Sequence, residues 1–169
     1  ALLATMAGFY GVYHGPEGLK KMASEIHSQT VALANILEKA GFKLINNSFF
    51  DTLTLSPPPG IKIETIKSHA EASQINLRYF HEEEMIGITL DETTSREDVQ
   101  VLADLLLSSV DATNLKLEIS DNIAAIPDGL IRQSDFMGQK VFHKYRSETE
   151  MMRYIKRLDR KDISLAHSM

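Results

Sequence analysis

One pattern dominates the first quarter of the chain. Leu19, Met22, Ala23, Ile26, Thr30, Leu33, Ala34 and Leu37 recur at steps of three and four. That spacing places them on one face of a long amphipathic helix. Pro16 suits its first turn, where no backbone N–H is needed, and Glu17 complements the positive end of the helix dipole. Gly41 is suited to end it. Ahead of it, "ALLATMAGFYGVY" reads as a separate buried helix over residues 1–13. Ala4, Ala7, Gly8 and Gly11 would permit close packing there, although glycine weakens a helix. "HGPEG" separates the two. With no cap before Ala1, the first helix is expected to lead in from a segment upstream, as in a piece of a longer chain.

Alternation of period two follows. "FKLI" is a short strand. "FFDTLTLS" puts Phe49, Leu53 and Leu55 on one face and Phe50, Thr52 and Thr54 on the other. "SPPPG" breaks the chain, and Ile63, Ile66 and Ala70 sketch a short helix. "INLRYF" and "MIGITL" form two strands joined by "HEEE", with Ile75, Leu77 and Tyr79 sharing one face and Ile86, Ile88 and Leu90 another. Thr94 or Ser95, with Glu97 or Asp98 reaching back, can cap a helix whose apolar face is Val99, Leu102, Ala103, Leu106 and Val110. The expected order is α-α-β-β-α-β-β-α. This is an α+β fold, a small antiparallel sheet with helices on one face. Residues 1–110 form the small domain.

Past Val110 the periodicity fades, and residues 111–169 read as a connector with a C-terminal helical arm. Leu130, Ile131, Phe136 and Phe142 are its expected apolar anchors. Ser147 and Glu150 have capping-box spacing before the last helix. Met151, Met152, Ile155 and Leu158 make its apolar side. Arg153, Lys156, Arg157, Arg160 and Lys161 make a basic one.

Charge sharpens this picture. The 169-residue chain has net charge −5, yet residues 140–162 carry eight Lys/Arg against four Asp/Glu. That surplus of +4 leaves −9 for the rest. Such overall acidity argues against general nucleic-acid binding. The basic face is either a solvated helix surface or a contact for an acidic partner. No apolar run is long enough to span a bilayer. With zero cysteines there is no disulfide, thiolate metal site or cysteine nucleophile.

Candidate chemistry is sparse. The six histidines, His14, His27, His69, His81, His143 and His167, never fall at i, i+3 or i+4, so none form a helical metal pair. "HEEE", with Glu82 and Glu83, reads as an exposed acidic turn. Phosphate-loop glycines and a G-x-S-x-G elbow are absent. The residues alone reach no reaction.

Three stretches carry a resemblance: "ALLATMAGFYGVYHGPEGLKKMA", "FFDTL" and above all "YRSETEMMRYIKRLDRKDISLAHSM". They resemble the P-protein family of the glycine cleavage system, and the likeness runs nearly end to end. The resemblance implies the small domain of a fold-type-I pyridoxal-phosphate enzyme, from the end of the first of two related halves, plus the connector to the second half. It implies a decarboxylating glycine dehydrogenase, which releases carbon dioxide from glycine and passes the aminomethyl group to the lipoyl arm of the H-protein, with the cofactor as electron sink. It further implies a homodimer of the full enzyme, in the cytoplasm of a bacterium or the mitochondrion of a eukaryote, with no nucleic-acid or membrane partner. No stretch here matches the surroundings of the cofactor lysine, so Lys20, Lys21 and the other lysines receive no such role. The expected segment is non-catalytic, holding no catalytic, cofactor or metal residue. Its sequence has Gln139 and Arg146 where family members often carry histidine. His167 and Ser168 either approach the active site of the intact enzyme or are ordinary connector residues. The alternatives are a stand-alone ACT-like regulatory module or a protein-docking module that uses the basic arm.

Overall fold

A computed structural model describes residues 1–120, 126–163 and 165. The chain forms two compact units, Met22–Ile131 and a second made of Ala1–Lys21 with Arg132–Met169. Helix α1 (Leu2–Lys39) contributes to both.

The expected break in α1 is present. Gly15 has φ 61 and ψ −175, so residues 2–14 and 16–39 are two helical segments. The second segment ends in a Schellman motif. Gly41 takes φ 92, its N–H donates to the Glu38 carbonyl at 3.0 Å, and the Phe42 N–H donates to the Leu37 carbonyl at 3.0 Å. Glycine carries no Cβ penalty in that left-handed position. Phe42 and Leu37 are both buried, which adds the apolar contact that commonly accompanies the motif.

In Met22–Ile131, strands β1 (Lys43–Leu44), β2 (Thr52–Ser56), β3 (Arg78–Phe80) and β4 (Met85–Thr89) make an antiparallel sheet of order β1-β2-β4-β3. The register pairs Leu53 with Ile88 and Leu55 with Ile86. These four side chains lie on one face and are buried. They meet the apolar faces of residues 26–37 of α1, of α2 (Ile63–Ala72) and of α3 (Arg96–Ser108). The opposite face shows Thr52, Thr54, Arg78 and Thr89, exposed or half-buried. This is the expected α+β layer. Helix α3 is capped by Ser95, whose hydroxyl accepts from the Asp98 N–H while the Asp98 carboxylate accepts from the Ser95 N–H. The strand order was not legible: β4 inserts between β2 and β3, because α2 carries the chain past the position beside β2.

Glu84, in the "HEEE" turn, does more than face water. Its carboxylate accepts from the Ile63 N–H at 3.4 Å, at the otherwise uncapped start of α2.

In the other unit, Val12, Tyr145 and Met151 are buried together, with Phe9, Tyr13, Val141, Phe142, Tyr154 and Ile155 packed around them. The last helix, α4 (Glu148–Asp159), docks through Met151 and Ile155. Three expectations fail here. Residues 1–8 are exposed, not buried, since only the Phe9, Val12 and Tyr13 side of the segment meets the cluster. Met152 is 65% exposed, because it sits about 100° around the helix from Met151. Leu130 and Ile131, which end the Met22–Ile131 unit, are exposed as well, so Phe136 and Phe142 are the half-buried anchors of the connector.

Candidate functional site

The basic face of α4 is the strongest functional feature of the expected set. Ser147 starts the helix as predicted, its hydroxyl accepting from the Glu150 N–H at 3.3 Å. Glu150 reaches back one residue further than a capping box requires, accepting from the Arg146 N–H at 3.2 Å. Opposite the docked apolar side, Arg153, Lys156, Arg157, Arg160 and Lys161 are all exposed.

The five cations are not equivalent. Lys156 pairs with Asp159 at 2.5 Å. Arg157 lies over the stacked rings of Tyr145 and Tyr154, 5.5 Å and 5.3 Å from their centroids, and donates to the Tyr145 hydroxyl. Phe9 meets Tyr154 edge-on at 6.2 Å. Cation–π stacking holds a guanidinium in place without neutralising it. Among the described residues, the side chains of Arg153, Arg160 and Lys161 have no ion-pair or hydrogen-bond partner. One arginine is therefore fixed by aromatic rings and three cations stay free, a charge distribution suited to an acidic protein surface.

His167 and Ser168 lie outside the described residues, so the structure neither groups them with this face nor separates them from it.

Sequence reasoning marked Arg146 only as standing where the family often has histidine and missed what it binds. Its guanidinium donates to the carbonyls of Val12 at 3.0 Å, Tyr13 at 2.9 Å and Phe142. Val12 and Tyr13 belong to the last turn of residues 2–14, where the break at Gly15 leaves carbonyls without helical partners. Arg146 satisfies them and places a cation at the negative end of the dipole. A Cβ at Gly15 would come within 1.8 Å of the Arg146 Nη2. The available signal was a glycine–proline break in one helix and an unpaired arginine far along the chain, which sequence alone does not connect.

A second feature lies in Met22–Ile131. Gln74, at φ 58, closes α2, and the Ile75 N–H donates to the Ala70 carbonyl at 2.8 Å. This pins the start of the following chain to the helix end, so β3 pairs with β4 only from Arg78↔Gly87 onward. Between residues 75–78, residues 87–90 of β4 and its exit, and α3, the divergence leaves a cleft of about 530 Å³. Ile75, Leu77, Ile88, Leu90, Val101 and Leu102 supply its apolar lining, and Arg78 and Asp98 its charges. The hydroxyl and N–H of Ser95 hold the Asp98 carboxyl below the usual carboxylate range.

Pyridoxal phosphate needs a lysine within a site that can hold its ring and its phosphate. All lysines are exposed except Lys67, which is half-buried. Lys39 and Lys116 line a cavity of about 360 Å³ with Asn35, Asn114 and Glu118. It has no aromatic ring to stack on the cofactor. It also sits at the C-terminal turn of α1, whose dipole opposes a phosphate. No lysine lines the 530 Å³ cleft. The residues do not fit the group. Among the described residues, no three or more His, Cys, Asp or Glu are placed to hold a metal, and no helix is long and apolar enough to cross a membrane.

The family model of the glycine cleavage system P-protein matches residues 1–106. Along all of its length the chain is 46% identical to a decarboxylating glycine dehydrogenase of Bacteroides fragilis (strain YCH46) and 47% identical to one of Vibrio parahaemolyticus. It is 42% identical over 99% of its length to one of Shewanella sp. (strain MR-7). It spans 18%, 17% and 18% of the lengths of these relatives. With the α+β layer and the capped basic helix in place, these matches settle the family, and the chain belongs to the glycine cleavage system P-protein family.

Proposed function

We propose that this chain is a non-catalytic part of a pyridoxal-phosphate-dependent glycine dehydrogenase. That longer protein decarboxylates glycine and hands the aminomethyl group to the lipoyl arm of the H-protein. The observation that carries this reading is the match through 100% of the chain to glycine dehydrogenases of which it spans 18%. The poor fit of every lysine to the cofactor supports assigning the chemistry to other parts of the longer protein. In chain order, residues 1–110 act as the small domain and 111–169 as the connector to the second half. The full enzyme is a homodimer in the cytoplasm of a bacterial source. The role of this part is to position and to dock: Arg153, Arg160 and Lys161, with Arg157 fixed beside them, offer a cationic face to an acidic surface of the H-protein or of the second half.

The test uses the longer protein. Reversing Arg153, Arg160 and Lys161 to glutamate should leave the helix folded, since all three are exposed. It should weaken H-protein binding or assembly of the halves, most at low ionic strength. Unchanged activity and assembly would leave the face as a solvated surface. In a second measurement, the 169-residue chain mixed with pyridoxal phosphate should develop no saturable, lysine-dependent absorbance. Such a band would overturn the non-catalytic assignment.

A further inference from the structure

A cavity of about 380 Å³ opens between α1 and the loop that leads from β4 into α3. Met22, Glu25, Ile26 and Gln29, at steps of three and four, form its α1 wall. Gln29 is only 2% exposed, yet its amide has no partner. Oε1 is sealed without a hydrogen bond, and Nε2 makes none among the described residues either. Buried amides are nearly always hydrogen-bonded, because an unanswered one gives up water and receives nothing in return. The last torsion of a glutamine is broad and two-fold, so a turn about it exchanges Oε1 with Nε2 and lets the side chain offer either one to the cavity.

The loop wall decides between them. Asp91 accepts from the N–H groups of Thr93 and Thr94 at 2.9 and 3.1 Å and from their hydroxyls at 2.7 and 3.0 Å. All four bonds run to Oδ1, so the loop turns its donors inward and leaves Asp91 Oδ2 unbonded. Ser95 and Asp98 do the same at the start of α3, each side chain accepting from the other's N–H. What the side chains leave over is acceptors. The carboxylates of Glu25 and Glu97 are exposed and have no ion pair or hydrogen bond among the described residues. Glu92 and Arg96 also line the cavity, and each already has an interaction. Carboxylates thus outnumber the one arginine on this lining, while Glu97 and Asp98 in the first turn already answer the dipole of α3. Among the described residues, no three carboxylates are placed to hold a metal ion. Acceptors spread over two walls suit a broader cation with several N–H donors. A guanidinium is planar and carries five, in a fork that matches carboxylates. Met22 and Ile26 offer the apolar surface on which its stem can lie.

We propose that this cavity binds an alkylguanidinium, its N–H groups donating to Gln29 Oε1 and to the carboxylates of Glu25 and Glu97, its alkyl stem against Met22 and Ile26. An arginine side chain of another polypeptide and a free guanidino compound carry the same group. The site lies in Met22–Ile131 and rests on neither the basic face of α4 nor the cofactor, so its failure would leave the proposed function intact.

The experiment is an NMR titration of the 169-residue chain at low ionic strength, following the Gln29 side-chain amide and the backbone amides of Thr94 and Glu97. The probes are butylguanidinium, tetramethylammonium, which has the charge and no N–H, butylurea, which has N–H groups and no charge, and magnesium chloride. Butylguanidinium should give saturable shifts, with a millimolar dissociation constant in keeping with carboxylates that stay partly in water. The other three should bind at least about tenfold more weakly. Gln29→Leu should weaken butylguanidinium about tenfold and leave the free chain no less stable, since it removes an amide that has no partner there. Glu25→Gln with Glu97→Gln should weaken it about tenfold as well. Glu38→Gln, at an exposed position of α1 outside the cavity, should change the affinity less than about twofold. An unchanged far-UV spectrum checks that each variant is folded. Among guanidinium ligands, tighter binding of N-acetyl-L-arginine amide than of L-arginine supports the site as one for a side chain within a polypeptide, and the reverse supports it as one for a free compound. The proposal is overturned by no saturable shift with butylguanidinium up to about 50 mM, by equal binding of tetramethylammonium, butylurea or magnesium, by unchanged affinity in folded Gln29→Leu or in the folded double variant, or by an equal loss in Glu38→Gln.

Discussion

Arg146 offers the sharpest test of how the unit of Ala1–Lys21 and Arg132–Met169 is held. Replacing it with alanine removes a guanidinium that serves the Val12, Tyr13 and Phe142 carbonyls. A hydrogen bond to a charged group contributes about 1.5–3 kcal/mol. Arg146 is exposed and water can replace part of the loss, so the three bonds together are worth about 2 kcal/mol, with the dipole term inside that figure. Because the chain has two units, a single unfolding free energy is not well defined. Native-state amide exchange read residue by residue is the suitable assay. A loss of about 2 kcal/mol corresponds to exchange about 30-fold faster in residues 9–14 and 148–155, with Leu53 and Ile88 unchanged. Arg146→Lys should recover less than half, since an ammonium cannot fork across several carbonyls. The partner substitution Gly15→Ala suffers twice: φ 61 with ψ −175 is a conformation essentially confined to glycine and costs an alanine about 1–3 kcal/mol, and the new Cβ would collide with the Arg146 guanidinium. Removing Arg146 abolishes the second cost, so the double variant should be less destabilised than the sum of the singles. Strict additivity, or an Arg146→Ala exchange change below about threefold, would refute the capping role.

Ser95→Ala removes one half of the α3 capping box and should cost about 1 kcal/mol, read as faster exchange at the first turn of α3. Leu53→Ala opens a void beneath the middle of the sheet and should cost about 2–5 kcal/mol, seen as a loss of protection throughout Met22–Ile131 and not in α4. Acid should act through Asp91 and Asp98. Hydrogen bonds from Thr93 and Thr94 lower the first, and bonds from Ser95 lower the second. The unfolded chain then binds more protons than the folded one, so their contribution is present above the ordinary aspartate value of about 3.9 and is lost as pH falls through the depressed folded values. Far-UV circular dichroism between about pH 5 and pH 2 should show this loss, and Asp91→Asn should flatten it.

The amino-acid sequence alone determined what depends on short-range spacing. The 16–39 segment, its stop at Gly41, the two-faced strands, and the caps at Ser95 and Ser147 all follow from side chains a few residues apart, where local geometry leaves few options. The basic face of α4 was visible for the same reason. Only the tertiary structure decided what depends on which distant groups meet. It placed β4 between β2 and β3, exposed residues 1–8 and Met152, and brought Arg146 to carbonyls 134 and 133 residues away. It also opened a cleft where residues 75–77 part from β4. A backbone carbonyl has no residue identity to read, and a cleft arises from where two strands part. Both are set by packing, which local periodicity does not encode.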